Sequence, residues 1–153
     1  MCFATIHDKR QEQVPRTDWE FTQEIPALHF YKGIFLRLEE NLHELLDANK
    51  SMMTRIGTVH PDYTGRGTMT AIGVRLLEVA IETGCEYVVG VAVSKYSQEA
   101  NEKLGLTALR EMRYSDFVDP ETGKKPDLQL SSIHTHAKLY CFPVQSNVVT
   151  SKL

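Results

Sequence analysis

The chain of 153 residues is long enough for one domain of ordinary size and too short for two independent cores. With 42% hydrophobic and 24% charged residues, its composition is that of a globular protein and excludes a disordered one. A net charge of −3, from 17 basic and 20 acidic side chains, argues against a nucleic-acid binder held by a general basic field. No apolar run approaches the roughly 20 residues that span a bilayer.

The N-terminus and the cysteines indicate the compartment. The first residues, MCFATIHDKRQEQ, lack the basic flank, apolar stretch and small-residue cleavage site of a signal peptide. Cys2, Cys85 and Cys141 form an odd and widely spaced set, which is typical of reduced thiols and not of a metal site. These features predict a cytoplasmic protein that holds no metal.

The first predicted element is a helix with a single apolar stripe. The stripe residues recur at steps of three and four and are Leu28, Tyr31, Phe35, Leu38, Leu42 and Leu45. Pro26 suits the first helical turn, and Asn49 stands where the helix is expected to end. Because the stripe is shorter than three heptads, packing on a sheet is favoured over a coiled coil.

Predicted strands and helices then alternate along the chain. Strands are predicted over residues 52–59, 87–93, 107–114 and 137–142. One helix is predicted after Thr70, with the apolar face Ile72, Leu76, Val79 and Ala80, and another over residues 98–104. Gly84 and Gly105 follow the two helices, and residues 119–127 have turn chemistry. This order predicts an α/β fold with at least one crossover unit.

The most informative segment, VHPDYTGRGTMT at residues 59–70, joins the first of these strands to a helix. A strand that ends in a glycine turn and opens a helix presents backbone N–H groups to an anion. Gly65 and Gly67 allow the backbone to approach phosphate closely, and Arg66 adds a charged contact. Alternatively, the glycines only make a tight turn. The loop is neither a P-loop nor a dinucleotide fingerprint, because the required Lys and third Gly are absent.

Together with downstream segments, this loop resembles the acetyl-CoA pyrophosphate loop of the GNAT superfamily of N-acetyltransferases. The matching segments are Val59-His60-Pro61-x-Tyr63-x-Gly65-Arg66-Gly67, Ser94-Lys95-Tyr96-Ser97 and Glu102-Lys103-Leu104-Gly105-Leu106. Within the superfamily, Met112-Arg113-Tyr114 and His134-Thr135-His136-Ala137-Lys138 are similar to the arylalkylamine N-acetyltransferases of insects and related animals. The resemblance extends over about residues 52–144.

The resemblance implies a GNAT-type mixed central sheet flanked by helices, with the N-terminal strands reduced. It implies a single partial domain over residues 1–144 and a tail over residues 145–153. It also implies acetyl-CoA as co-substrate, held by Val59, Thr64, Gly65, Arg66, Gly67, Thr68 and Met69. The family usually has Arg or Gln at Thr64 and a small residue at Met69. At the position of Asn101, members of the superfamily often have a tyrosine that gives a proton to the leaving thiolate.

The N-terminal part departs further from the family pattern. About 50 residues precede the loop strand, too few for the helices and first strands of a complete member. Only residues 2–6 are expected to supply a strand, which would leave the loop strand with few partners on one side. We therefore expect a fragment or short isoform that is less stable than a full member, prone to self-association, and weakly active or inactive on amines.

Acyl transfer to an amine needs a neutral amine, a stabilised oxyanion and a proton for the thiolate. His60 is a candidate base, although a strand-end surface histidine is the alternative. Ser94 and Ser97 lie where the family places residues near the thioester, and either would also make a helix N-cap. Tyr96 is a candidate acid or an aromatic residue packed at the edge of an element.

Three further residues are candidates for an amine pocket. His134 and His136 lack a neighbouring Cys, Asp or Glu that would complete a zinc site, so a pocket wall is their functional interpretation. Trp19, beside Phe21, either lines an aromatic-amine pocket or anchors a loop.

The leading prediction is an acetyl-CoA-dependent N-acyltransferase that acts on a small amine such as dopamine, tyramine or serotonin by direct attack in a ternary complex. The alternatives are a catalytically weak or inactive acyl-CoA-binding or pairing protein of the same fold and a protein N-acetyltransferase. Neither a nucleic acid nor a membrane is expected as a partner. The final Ser151-Lys152-Leu153 matches the peroxisomal address, so this compartment is a second hypothesis beside the cytoplasm.

Overall fold

The structure, a computed structural model, describes residues 2–9, 26–119, 123–125 and 132–144. In order along the chain, its elements are β1 (Cys2–Asp8), α1 (Pro26–Leu38), α2 (Leu42–Leu46), β2 (Lys50–Gly57), α3 (Thr68–Glu82), β3 (Tyr87–Ala92), α4 (Lys95–Lys103), β4 (Ala108–Arg113) and β5 (His136–Pro143). Short 3₁₀ turns cover Pro61–Tyr63 and Tyr114–Asp116. Trp19, Phe21 and the tail lie outside the described residues. Among those described, no helix is long and apolar enough to cross a bilayer.

The strands form a mixed sheet in the order β1-β2-β3-β5-β4, which confirms the predicted α/β class. Strand β2 runs parallel to β3 and antiparallel to β1, and β4 runs antiparallel to β5. Strand β1 pairs along the whole of β2, from Cys2 opposite Gly57 to Asp8 opposite Lys50. As expected, one N-terminal strand lies on that side of β2 in the described part of the chain. It continues two residues beyond the predicted residue 6, so the expectation that the edge of β2 would be left uncovered is wrong.

The described residues fall into two compact units. One lies within Met1–Glu12, His43–Gly90 and Cys141–Leu153, and the other lies within Gln13–Leu42 and Val91–Tyr140. The site residues expected from the sequence are divided between them. The loop that precedes α3 belongs to the first unit, and Ser94, Tyr96 and Ser97 belong to the second.

The core of the first unit forms between α3 and β2. Met52, Ala80 and Cys85 are buried there, and the surrounding apolar side chains are Leu76, Val79, Val88 and Val144. The apolar face predicted for α3 is thus confirmed. The helix ends at Glu82, and Gly84 takes the left-handed conformation (φ 68°) that turns the chain toward β3.

Glu86 joins the N-terminal ends of β2 and β3 in this unit. Its carboxylate accepts the backbone N–H groups of Asn49 and Lys50 at 2.8 and 3.2 Å. Its backbone N–H donates to the carbonyl of Lys50 at 2.8 Å, and its own carbonyl accepts the N–H of Val144 at 2.8 Å. The Lys50 ammonium donates to the carbonyl of Thr83 at 2.7 Å. These hydrogen bonds therefore hold the N-terminal ends of β2 and β3 together, at the end of this strand pair opposite the glycine loop.

The prediction of one helix through Leu45 is wrong, because α1 ends at Leu38 and α2 begins at Leu42. Asn41 between them has φ 52°, a left-handed conformation that Asn tolerates better than most residues. In the second unit, the Arg110 guanidinium donates to the carbonyls of Leu38, at 3.1 Å, and Glu40. Satisfying these carbonyls at the helix end allows α1 to stop inside its apolar stripe.

Gly90 of β3 lies where there is no room for a side chain. A Cβ at this position would be 2.2 Å from Thr54 Oγ1, which donates to the Val89 carbonyl at 3.0 Å. We expect Gly90→Ala to lower the free energy of unfolding by about 1–3 kcal/mol, because the hydroxyl or the strand must move. In urea denaturation, adding Gly90→Ala to the Thr54→Ala variant should cost much less than adding it to the wild type; equal costs would contradict this contact.

Candidate functional site

The glycine loop between β2 and α3 is exposed and is held by hydrogen bonds within itself. The N–H of Tyr63 donates to the carbonyl of His60 at 2.9 Å, and the Thr68 hydroxyl donates to the carbonyl of Tyr63 at 3.2 Å. Gly65 and Gly67 have φ of 73° and 74°. A Cβ built at either glycine meets no described protein atom within 4 Å. No described residue therefore fills the space beside either glycine.

The N-terminus of α3 follows directly on this loop. Gly67 is the N-cap and supplies no side-chain hydrogen bond to the first turn. The first helical bond runs from the N–H of Ala71 to the carbonyl of Gly67 at 3.0 Å, so the preceding N–H groups lie before the helical ladder. With the helix dipole, they attract an anion. The Arg66 guanidinium lies nearby, with its central carbon 5.4 Å from the centroid of the Tyr63 ring.

The side chains of Thr64 and Met69, two positions at which the sequence differs from the loop pattern that it resembles, are both placed by local contacts. The Thr64 hydroxyl donates to the carbonyl of Pro61 at 2.8 Å, so its one hydrogen is already used within the turn. The Cε and Sδ atoms of Met69 lie 3.4 and 3.5 Å from a Cβ built at Gly57. Met69 therefore packs toward the end of β2 although 44% of it stays exposed. Val59 is half-buried beside the loop.

His60 caps the short 3₁₀ turn. Its Nδ1 accepts the N–H of Asp62 at 3.3 Å and lies 3.6 Å from Asp62 Oδ2. In a neutral ring with Nδ1 as acceptor, the proton is on Nε2, and only Nδ1 carries a lone pair for a substrate proton. That atom is engaged with the backbone. The His60 side chain is 67% exposed, as expected for the alternative of a surface histidine at the end of a strand.

Ser94 and Ser97 form a capping box at the start of α4. The Ser94 hydroxyl accepts the N–H of Ser97 at 3.1 Å, and the Ser97 hydroxyl accepts the N–H of Ser94 at 3.3 Å. The two hydroxyl oxygens are 2.9 Å apart. Helix α4 therefore begins at Lys95, three residues earlier than predicted, because the cap sets its start. Both serines act as capping residues in this geometry.

Tyr96 and His134 meet at the same helix end. Their ring centroids are 5.7 Å apart in an edge-to-face arrangement, and Tyr96 is 67% exposed. His134 Nδ1 accepts the N–H of Lys95 at 3.2 Å. The His136 ring instead bonds the hydroxyl of Thr135 at 2.7 Å. Of the sequence-predicted residues of this unit, the structure thus brings Ser94, Tyr96, Ser97 and His134 together around the first turn of α4.

The sequence prediction missed two residues of this region. Gln98 Nε2 donates to the carbonyls of Ala92, at 3.2 Å, and His136, at 2.7 Å. The Tyr114 hydroxyl donates to the carbonyl of Val93. Burial, with a smaller contribution from Tyr31, raises the pKa of Tyr114 well above its usual range. The sequence pattern carries no signal for Gln98. Tyr114 belongs to the segment Met112-Arg113-Tyr114, and the signal for its role is that a buried tyrosine usually bonds its hydroxyl to a partner.

Glu102 connects α4 to β5. Its carboxylate accepts hydrogen bonds from the Lys138 ammonium at 2.9 Å and the Tyr140 hydroxyl at 3.1 Å. The bond from Lys138, followed by that from Tyr140, lowers the pKa of Glu102. Burial, with the neighbouring Glu102, raises the pKa of Tyr140 to about 12. The Glu of the EKLG segment is thus part of a structural contact in the second unit.

Glu102→Gln should change the acid sensitivity of folding. Because the pKa of Glu102 is lower in the folded chain, its contribution to stability is present above the usual glutamate pKa, roughly 4.3, and is lost as the pH falls below it. Urea denaturation between about pH 3 and pH 7 should therefore show a shallower loss of stability on acidification in the variant. Parallel curves would show that Glu102 makes no such contribution.

No group of three His, Cys, Asp or Glu side chains among the described residues is arranged to hold a metal ion. The three cysteines are not joined by disulfides, and burial raises the pKa of Cys141 to about 11.

Solved structures with the same fold identify the architecture. Arylalkylamine N-acetyltransferase 2 from Aedes aegypti is 20% identical, with a TM-score of 0.73 over 94% of this chain and 67% of its own. A polyamine N-acetyltransferase from Drosophila melanogaster that forms N-acetylagmatine is 15% identical, with a TM-score of 0.69 over 93% and 68%. The C-terminal condensation domain of Ebony, in complex with beta-alanyl-dopamine, is 14% identical, with a TM-score of 0.61 over 92% and 65%.

The chain spans about two thirds of the length of these solved chains. No protein-family profile matches it, and no curated protein matches its sequence. The mixed sheet and the loop before α3 are consistent with these structural matches. The chain has the fold of the GNAT N-acetyltransferases.

Proposed function

We propose that the chain binds acetyl-CoA and transfers the acetyl group to a small amine. The observation that carries the proposal is the uncapped N-terminus of α3 behind two left-handed glycines, with open space beside both. Such a helix end binds phosphate through backbone N–H groups and the helix dipole. The fold shared with N-acetyltransferases supports CoA over other phosphate-containing ligands.

The residues at this helix end fit a pyrophosphate group. The N–H groups of Thr68, Met69 and Thr70 precede the helical ladder and would donate to phosphate oxygens. Arg66 is exposed and adds a charged donor from the turn. The hydroxyl and the backbone N–H of Thr64 both donate to the carbonyl of Pro61, at 2.8 and 3.2 Å, so this residue does not supply the charged fork of the usual Arg.

The acyl transfer that we propose is a direct attack of the amine on the thioester carbonyl. The N–C bond forms, the C–S bond breaks, and the proton lost by the amine balances the proton gained by the thiolate. Tyr96, exposed in the first turn of α4, is the candidate donor of that proton. His134, against its ring, is a candidate wall of the amine pocket.

Small amines are the proposed acceptors. The solved structures that share the fold include N-acetyltransferases of arylalkylamines and of agmatine, and a condensation domain bound to an acylated dopamine. The neighbouring rings of Tyr96 and His134 favour an aromatic or cationic amine, because the face of an aromatic ring attracts both other rings and cations. Dopamine, tyramine and serotonin are therefore the first substrates to test, with agmatine as an aliphatic comparison.

A second candidate function is CoA binding without turnover. The capping box favours this second function, because the hydroxyls of Ser94 and Ser97 bond each other. His60 also favours it, because its Nδ1 already accepts the backbone N–H of Asp62. These three residues would have to exchange their present partners to take part in proton transfer.

Calorimetry with CoA, together with thiol release from acetyl-CoA in the presence of an amine panel, tests both candidates. Binding with amine-dependent thiol release supports the acyltransferase. Binding without release for any amine or peptide selects the second candidate. The absence of CoA binding would overturn both.

A further inference from the structure

Three consecutive carbonyls at the junction of β3 and α4 each accept a hydrogen bond from a side chain. The pairs are Gln98 Nε2 with Ala92 O at 3.2 Å, the Tyr114 hydroxyl with Val93 O, and the Ser97 hydroxyl with Ser94 O at 2.9 Å. Because a trans peptide unit is planar, fixing its carbonyl also fixes the N–H of the next residue. These bonds therefore set successive peptide planes up to the first residue of α4.

Two of the three donors link this junction to other elements of the second unit. Tyr114 follows β4, and its ring packs 5.8 Å from that of Phe30 in α1. Gln98 uses its second amide hydrogen on the carbonyl of His136, the first residue of β5. The Ser97 bond is local and belongs to the cap itself. The cap determines which residue is the first of α4. The two linking donors determine the position of that first residue relative to α1, β4 and β5.

We propose that Gln98 and Tyr114 are positioning residues that fix the peptide planes of residues 92–94 and thereby place Tyr96 for acyl transfer. The inference rests on the proposed acyltransferase function. Tyr96 lies two residues beyond the last fixed carbonyl, in the first turn of α4. A small rotation of the peptide planes would move its hydroxyl by an ångström or more, and displacements of that size cost about a hundredfold in rate in the most sensitive cases.

The test compares Tyr114→Phe with the matched variant Tyr140→Phe. Each change deletes one hydroxyl that donates to an acceptor in or next to α4, but Tyr140 bonds Glu102 near the C-terminal end of the helix. We expect Tyr114→Phe to lower kcat about tenfold or more, with KM and the Kd for CoA unchanged within about twofold. We expect Tyr140→Phe to leave kcat within about twofold. Gln98→Met, which deletes the other linking donor, should behave like Tyr114→Phe.

Amide hydrogen exchange gives a readout that does not depend on activity. Exchange at residues 95–97 should be about tenfold faster in Tyr114→Phe and Gln98→Met than in the wild type, and unchanged in Tyr140→Phe. Faster exchange with unchanged kcat, or an equal loss of kcat in Tyr140→Phe, would overturn the positioning role. A wild type without thiol release would overturn the proposed function and the catalytic part of this inference. Unchanged exchange in both variants would overturn the backbone part on its own.

Discussion

Gly67→Val is expected to lower the affinity for CoA by at least about a hundredfold while the chain stays folded. Gly67 is the N-cap of α3 and has a left-handed φ of 74°. A branched side chain there would occupy the open space beside the first N–H groups of the helix. Losing even two charge-assisted hydrogen bonds to phosphate, at about 1.5–3 kcal/mol each, accounts for a loss of this size.

Gly84→Val is the matched control for this prediction. Gly84 also has a left-handed φ, 68°, and a Cβ built there meets no described atom within 4 Å, but it follows the C-terminal end of α3. Both changes place a β-branched residue in a strained conformation, at a cost of about 1–2 kcal/mol in stability. Calorimetry should find normal CoA affinity in Gly84→Val. Equal affinities in the two variants would show that the pyrophosphate does not bind at this loop.

Gly33→Ala is expected to destabilise the chain by about 1–3 kcal/mol, although the same change normally stabilises a helix interior. Gly33 lies within α1, and a Cβ there would be 2.7 Å from Cζ of Phe117. The Phe117 ring is buried and packs edge-to-face on Phe30 with centroids 5.1 Å apart, so it has little freedom to move away. Urea denaturation measures the change directly.

The sign of this effect should reverse when the ring is shortened. In a Phe117→Leu background, the atoms that oppose the added methyl group are removed, and the higher helix propensity of Ala should then make Gly33→Ala neutral or stabilising by up to about 1 kcal/mol. A destabilisation of the same size in both backgrounds would show that the close packing of α1 on Phe117 is not the cause.

Most elements of the fold could be predicted from the sequence because the signals for them are local. The apolar face of α3, the run of apolar residues in β3 and the glycines after the helices each depend on a few neighbouring positions. The break between α1 and α2 could not be predicted. It depends on Arg110, about 70 residues further along the chain, and no periodicity in the stripe records that contact.

The candidate site was predictable in its backbone and less so in its side chains. Gly65 and Gly67 have left-handed φ values that glycine adopts far more readily than other residues, so the loop sequence indicates where the chain turns. The helix N-cap was only the alternative interpretation of Ser94 and Ser97, because which hydroxyl bonds which N–H depends on where α4 begins. Gln98 acts through carbonyls of β3 and β5, and a sequence motif contains no information on such partners.

The hydrogen bonds of Glu86 and Lys50 divide the parallel pair β2–β3 into two ends with different tolerance of change. At the Glu86 end, the carboxylate accepts two N–H groups, the Lys50 ammonium donates to one carbonyl, and two backbone hydrogen bonds add to these. At the other end, Gly67 gives the first turn of α3 no side-chain cap. Substitutions near Glu86 should therefore alter the melting temperature and spare ligand affinity. For immobilisation or fluorescent labelling, attachment beside Thr83 or Glu86 would leave the glycine loop accessible to the ligand.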